Sequence, residues 1–273
     1  MRELFLSAST KDSDFTMSCA VLQGLTWMEA RKSVHRILFF QGQPQPRPLK
    51  NTRAFQQSRH PQLWRDLSNQ LMRSSYVLQI AYEVSLDRDF GKGTAMEFNS
   101  LPGTLRWTDL PDPPRETPVT SRANTRKKVE IPEQIITSRK KIEIPEQNNL
   151  PTALTDNGFR YKNEMIQESY SFVRENVEFV FSRYYRLPDS PGRTVTTMPS
   201  WAELRPFDSA QKWVLNVKLN VPDDSQPEKV KDANEELLAV KAELDKLFEF
   251  QAIDRKVFDT RIAPPPARVM PGN

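Results

Sequence analysis

The sequence predicts a mainly β (α+β) protein: an antiparallel, closed or nearly closed β-barrel with a few flanking amphipathic helices. Three observations lead there. Several strand-like runs carry apolar side chains on both faces, which a sheet with one wet face would not favour. Two long aromatic and β-branched runs, 159–174 and 177–187, are separated only by Glu175-Asn176 and read as an antiparallel hairpin. Finally, the first hundred residues alternate strand-like and helix-like segments.

In chain order, Leu4, Leu6 and Ala8 recur at period two and mark a first strand. Asp12 or Ser13 can then cap a helix on which Phe15, Cys19, Leu22 and Leu25 share a face, with Gly24 weakening its end. From Ser33 to Gln41, Val34, Arg36, Leu38 and Phe40 alternate with His35, Ile37 and Phe39, a strand covered on both sides. The proline-rich stretch from Gln43 to Pro48 is a stiff connection. Beyond it, Leu63, Trp64, Leu67 and Leu71 define a helix, and Tyr76, Leu78, Ile80, Tyr82 and Val84 a strand.

Between Thr108 and Gly158 there is no Phe, Trp or Tyr while prolines recur, so this stretch reads as a linker without a core of its own. It contains a near-duplication: Arg126-Lys127-Lys128-Val129-Glu130-Ile131-Pro132-Glu133-Gln134 returns as Arg139-Lys140-Lys141-Ile142-Glu143-Ile144-Pro145-Glu146-Gln147. After the hairpin, Trp213, Leu215, Val217, Leu219 and Val221 alternate with polar residues up to Pro222. From Glu228 to Phe248, Val230, Ala233, Leu237, Val240, Leu244 and Leu247 follow helical spacing. The resulting layout is 1–109 as the first half of the barrel and 110–156 as a disordered Pro-rich linker. Residues 157–263 form the second half of the same barrel, and 264–273 a flexible tail containing Pro264-Pro265-Pro266.

The chain has 273 residues with 37% hydrophobic and 27% charged residues, enough apolar material for a core, which argues against wholesale disorder. With 22 Pro against 8 Gly, glycine-rich phosphate loops are disfavoured, and Asp89-Phe90-Gly91-Lys92-Gly93-Thr94 reads as a turn. The single cysteine, Cys19, excludes an internal disulfide and any four-cysteine zinc site, and fits a reducing compartment. No apolar run approaches the ~18–20 residues of a membrane helix, and the first residues turn polar too soon for a signal peptide, so a soluble intracellular protein is expected.

No motif carries catalysis. His35 and His60 are the only histidines, on distant segments, and neither a metal site nor a Cys19–His pair is indicated. No Glu-x-Glu pair provides the metal-holding strand face of a triphosphate-cleaving barrel. The two Arg-Lys-Lys triplets suggest nucleic-acid binding only weakly, since glutamates follow each and no aromatic is near for stacking. Interface candidates are therefore aromatic: Tyr184 and Tyr185, of which alternation must turn one ring away from the main core, and Trp201.

Several segments resemble the fungal family of Mediator complex subunit 18. They are Glu3-Leu4-Phe5-Leu6, the stretch from Phe39 to Arg47, the run from Ser169 to Phe179, and the ending from Phe248 to Arg261, all in matching order. The resemblance implies a non-enzymatic, cofactor-free nuclear scaffold in the Mediator head module, built on an antiparallel barrel distantly similar to RNA triphosphatase tunnels. It further implies pairing with subunit 20, tethering by the C-terminal helix of subunit 8, indirect contact with other head subunits and RNA polymerase II, and neither membrane nor sequence-specific DNA binding. A triphosphate-tunnel hydrolase and a nucleic-acid-binding barrel are the alternatives. The family carries one Ile-Pro-Glu-Gln element before Asn148-Asn149-Leu150-Pro151. The second copy here is favoured for that place, and deleting Ala123 to Thr137 is expected to leave thermal stability unchanged.

Overall fold

A computed structural model describes residues 1–50, 53–113, 135–187 and 194–263. Eight antiparallel strands close into a barrel. In chain order they are β1 (Arg2–Thr10), β2 (Arg31–Gln41), β3 (Val77–Glu83), β4 (Gly103–Thr108), β5 (Thr137–Gln147), β6 (Arg160–Arg174), β7 (Val177–Arg186) and, after the short β8 (Arg205–Pro206), β9 (Trp213–Val221). The circuit runs β6-β2-β3-β4-β5-β1-β9-β7, and the β6–β7 hairpin shuts it. β8 adds two residues beside the end of β7.

Around the outside lie α1 (Asp12–Thr26), α2 (Arg53–Gln56), α3 (Pro61–Leu71), α4 (Leu86–Asp89), α5 (Leu150–Asp156) and α6 (Pro227–Leu244). The apolar core is between the barrel wall and these helices rather than inside the barrel. One cluster joins Leu4, Leu6, Phe179, Phe181, Leu215 and Val217 to Leu22 of α1 and to Leu237 and Val240 of α6. A second joins Leu38, Ile80, Trp107 and Ile144 to Trp64 and Leu67 of α3 and Leu154 of α5. Strand alternation thus sends most of the apolar set outward under the helices and a mainly polar set, joined by Phe5, Ile37, Phe39, Met165 and Val180, into the lumen.

A third device pins the connection after β7. Arg36 and Glu164, both fully withdrawn from solvent, pair at 2.7 Å. The guanidinium donates to the Val195 carbonyl, and the Glu164 carboxylate accepts from the Val195 amide at 2.7 Å. Leaving either charge alone in that position would be costly, so the pair fixes where this connection crosses the wall.

The last described segment works as a strap. Where β5 has left the edge of β1, Phe250 bridges Ala8, and Gln251 donates its amide to the Ser7 carbonyl at 3.0 Å. Farther on, the Val77 amide donates to Thr260 at 2.7 Å and the Ile262 amide to Ser75 at 2.8 Å, beside β3. Between these anchors the 3-10 turn Arg255–Phe258 brings Phe258 edge-on to Phe5 at 5.4 Å.

Several sequence expectations need correction. The stretch 110–156 is not a connection throughout: Thr137–Gln147 is β5, paired on both sides, and Leu150–Asp156 is α5. β5 lacks aromatics because one of its faces lies in the polar lumen, and it tolerates Pro145 because the pairing with β4 is irregular there, with Glu146 in a left-handed conformation. β4, not foreseen, brings Gly103 against the Tyr82 ring, where a Cβ would lie 2.7 Å from Cε1. α6 stops at Leu244, so Leu247 is exposed and Phe248 takes the core position. Asp12 is the first residue of α1 rather than its cap, and accepts from the Trp213 indole at 3.0 Å. The second Arg-Lys-Lys triplet is split by strand alternation: Arg139 and Lys141 enter the lumen, while Lys140 stays outside. The first copy, 126–134, and the tail, 264–273, lie outside the described residues.

The second copy lies in β5, and two contacts stand against the expectation that deleting Ala123 to Thr137 leaves thermal stability unchanged. Ile136 is buried in the core under α6, and Thr137 pairs with Phe5. Removing Ala123–Thr137 discards both. Losing a buried isoleucine costs about 3 kcal/mol, which lowers Tm by roughly 6–12 °C in a protein of this size. Calorimetry of the deletion variant against the parent measures this, and an unchanged Tm would remove Ile136 from the core account.

Candidate functional site

Two features stand out, the lumen and the outer face of α1. The lumen is a cavity of about 540 Å³ lined by alternate residues of all eight barrel strands. Its charges are organised around Glu3, whose carboxylate meets Arg139 at 2.7 Å and Lys141 at 3.0 Å. Lys141 also lies 3.4 Å from Glu143, which in turn is 3.4 Å from Arg106. Glu178 pairs with Lys218 at 3.1 Å. The Arg139 guanidinium stacks over Phe5 at 4.9 Å and reaches Phe258 at 5.5 Å, which places the strap's aromatic ring over this cluster.

Burial alone would raise the Glu3 carboxyl, but Arg139, Lys141 and Lys218 outweigh it and hold it down at about 2. Burial likewise opposes the charge on Lys141, and Glu3 and Glu143 overcome it, raising the ammonium above its ordinary value. Burial and the nearby Arg106 lower His35, so its imidazole is neutral at pH 7. Cys19 is half-buried against the core under α1, and burial pushes its thiol up to about 11, which makes it a poor nucleophile.

The aromatic interface candidates do not share a face. Tyr184 points into the lumen. Tyr185 points outward yet is only 6% exposed, because the connection carrying Trp201 and β8 folds back over it. Its hydroxyl donates to the buried Glu168 at 2.9 Å, where Arg183 and Lys32 also converge at 3.0 and 3.1 Å. Trp201 is half-buried, 4.9 Å from the Tyr185 ring and 5.2 Å from Phe90. Tyr185 is thus a core residue, and neither tyrosine offers a bare ring.

An apolar face does exist elsewhere. The inner side of α1 behaves as its spacing predicts, with Phe15 stacked on Trp213 at 4.0 Å and Leu22 fully buried. Its outer side carries Met17, Ala20, Val21, Gly24 and, at the C-cap, Trp27. Met17 is 71% and Trp27 93% exposed. At Gly24 an added Cβ would meet nothing within 4 Å, so the middle of this face is a shallow notch between two bulky ends. The helical spacing of these residues is a second stripe visible in the sequence, overshadowed there by the stripe that meets the sheet.

Fold and lumen define the class: a helix-wrapped, closed antiparallel β-barrel with its core outside and its charges inside. A family model described as Med18 protein matches residues 2–261, and the chain belongs to that family. Among its relatives is the Mediator of RNA polymerase II transcription subunit 18 of Coccidioides immitis, 25% identical over 88% of this chain and 92% of that one. The protein of the same name from Aspergillus fumigatus is 24% identical over 96% and 99%. The solved Schizosaccharomyces pombe Mediator head module contains a chain of the same fold, with a TM-score of 0.63 at 13% identity, covering 93% of this chain and 99% of that one.

The Glu3 cluster gives a signed prediction. A carboxyl depressed in the folded state stabilises above its unfolded value of 4.5, and that contribution is lost as pH falls toward about 2. Glu3→Gln should therefore cost about 3 kcal/mol at pH 7. The gap from the parent should shrink between pH 4.5 and pH 2, as read from urea unfolding at a series of pH values. A gap independent of pH would assign the loss to packing.

Proposed function

We propose that the chain works as a non-catalytic subunit of the nuclear Mediator complex, a head-module scaffold that holds partner subunits and acts on RNA polymerase II through them. The family match over residues 2–261 and the names of the relatives support membership of the complex. The observation that carries the scaffold reading is the outer face of α1, where Trp27 is 93% exposed while Trp64, Trp107 and Trp213 are buried and Trp201 is half-buried. The lumen carboxylates support the non-catalytic reading. Glu3 and Glu178 are engaged by Arg139, Lys141 and Lys218, cations standing where a metal-dependent hydrolase would need free oxygens.

The partners this reading names are subunit 20, as a heterodimer, and the C-terminal helix of subunit 8. A helix is the shape the α1 face suits: the Ala20–Gly24 notch admits a close backbone approach, and Met17 and Trp27 flank it as ridges. Of the aromatic candidates, Trp201 keeps an exposed edge and remains available at the rim of a second contact.

Purifying the tagged chain from nuclear extract should recover head-module subunits in near-stoichiometric amounts, and a phosphate-release assay should stay at the buffer level. Trp27→Asp should weaken capture of one partner about 30-fold, as expected of a central tryptophan worth about 2 kcal/mol. Its Tm should stay within about 1 °C of the parent's, since the side chain is almost wholly in solvent. Full recovery with Trp27→Asp would move the docking face elsewhere.

A further inference from the structure

The two ends of the lumen differ. Strand register places Ser33, Ser171, Glu143 and Glu178 around one end, and all of them are polar. Around the other, on the side of the strap, stand Phe39, Met165, Tyr184 and Phe258, with Phe207, the residue after β8, at the rim. The backbone anchors Phe207 there, its amide donating to the Tyr184 carbonyl at 2.8 Å, and the Arg186 guanidinium lies 4.5 Å from the ring. The residue is nonetheless 55% exposed. An aromatic ring fixed at the rim of an apolar mouth leaves area in water that a further apolar group would cover.

The chain itself arrives at this rim. The Thr260 hydroxyl donates to the Thr108 carbonyl at 3.0 Å, Arg261 bridges Tyr76, and the Ile262 amide donates to the Ser75 carbonyl at 2.8 Å. Thr108 lines the lumen, so the strap runs to Ala263 on the β3–β4 side of the mouth. Phe207 stands at the end of β7, three strands from β3 around the circuit and nearly opposite. The sequence continues Pro264-Pro265-Pro266-Ala267-Arg268-Val269-Met270. Successive prolines favour the extended polyproline II form at ~3.1 Å per residue, which puts Met270 within about 20 Å of Ala263. A mouth framed by eight tilted strands ~4.8 Å apart is roughly 15–20 Å across, so reach and span agree.

We propose that the segment after Ala263 crosses this mouth and seats Val269 and Met270 against Phe39, Phe207 and Phe258, so that the chain plugs its own barrel. Val269 and Met270 are the apolar pair within reach, and a methionine thioether packs well at aromatic edges. The three prolines cut the entropy lost when the segment is ordered. Because the segment is tethered at the rim, its effective concentration there is high, and a small contact suffices to hold it. The plug is independent of the α1 face and of membership in Mediator. Its consequence is a mouth closed to other chains until the segment is withdrawn.

Trypsin tests this on the full chain, because the Arg268–Val269 bond adjoins the seated residues and cleavage there follows the population in which the segment is released. The rate of that cut, followed by mass spectrometry, is compared with the rate in a free peptide of residues 260–273. The folded chain should be cut about tenfold more slowly or slower still, equally at two protein concentrations. Met270→Asp and Phe207→Asp should each restore the rate of the peptide. Where Phe207→Asp does not fold, Phe207→Ala, which removes the ring without adding charge, takes its place. Cleavage of the parent at the peptide rate would overturn the proposal. So would protection that survives the change at Phe207, which puts the segment elsewhere, and protection that fades on dilution, which gives the mouth to a second copy.

Discussion

Everything in this barrel depends on Glu3 being answered from the other side of a strand pair. An eight-stranded barrel has a narrow interior, and this one lines its cavity largely with ionic and polar groups instead of a hydrocarbon core. Such an interior is tolerable only if the charges cancel at close range, since an isolated buried ion costs several kcal/mol. Arg139 and Lys141, both from β5, supply that cancellation for a carboxylate on β1. The strand pairing and the ion pairing impose the same register.

Putting charge inside determines what happens outside. Alternation sends the apolar half of each strand outward, so the wall must be covered. α1, α3, α5 and α6 provide the cover, and their packing is the hydrophobic core. The arrangement inverts the usual one, with helices acting as an outer skin and the barrel enclosing a mainly polar cavity. A helix used as skin has a second side facing solvent, and on α1 that side is apolar. The interior chemistry of the barrel thus leads, through the cover it requires, to an exposed apolar helix face.

Much of this was legible in the residues. Leu4, Leu6 and Ala8, the Glu175-Asn176 hairpin, and the alternation from Trp213 to Val221 declare strands locally, and the two-faced runs correctly required closure. β4 and β5 did not declare themselves. One includes Gly103 and the other Pro145, both usually taken as breaks, and the charges of β5 look like a solvated linker until Glu3, far away in sequence, is set beside them. The site suffered from the same limit. Alternation correctly put Tyr184 and Tyr185 on opposite faces, but only the return of the chain through Trp201 and β8 decides that the outward ring is covered. The outer α1 stripe is present in the sequence at helical spacing, but the opposite stripe of the same helix accounts for the same periodicity.

The strap has a consequence for how the molecule is made. Its hydrogen bonds join Gln251 to Ser7 and Ile262 to Ser75, and β1 lies between β5 and β9, so the first strand waits for partners from nearly the whole chain. A growing polypeptide leaving the ribosome therefore carries an unclosed sheet for almost its entire synthesis. Its outward-facing leucines and phenylalanines stay uncovered until α6 and the strap emerge. Such an intermediate favours capture by chaperones, or by another subunit of the same assembly, before the barrel can close on its own.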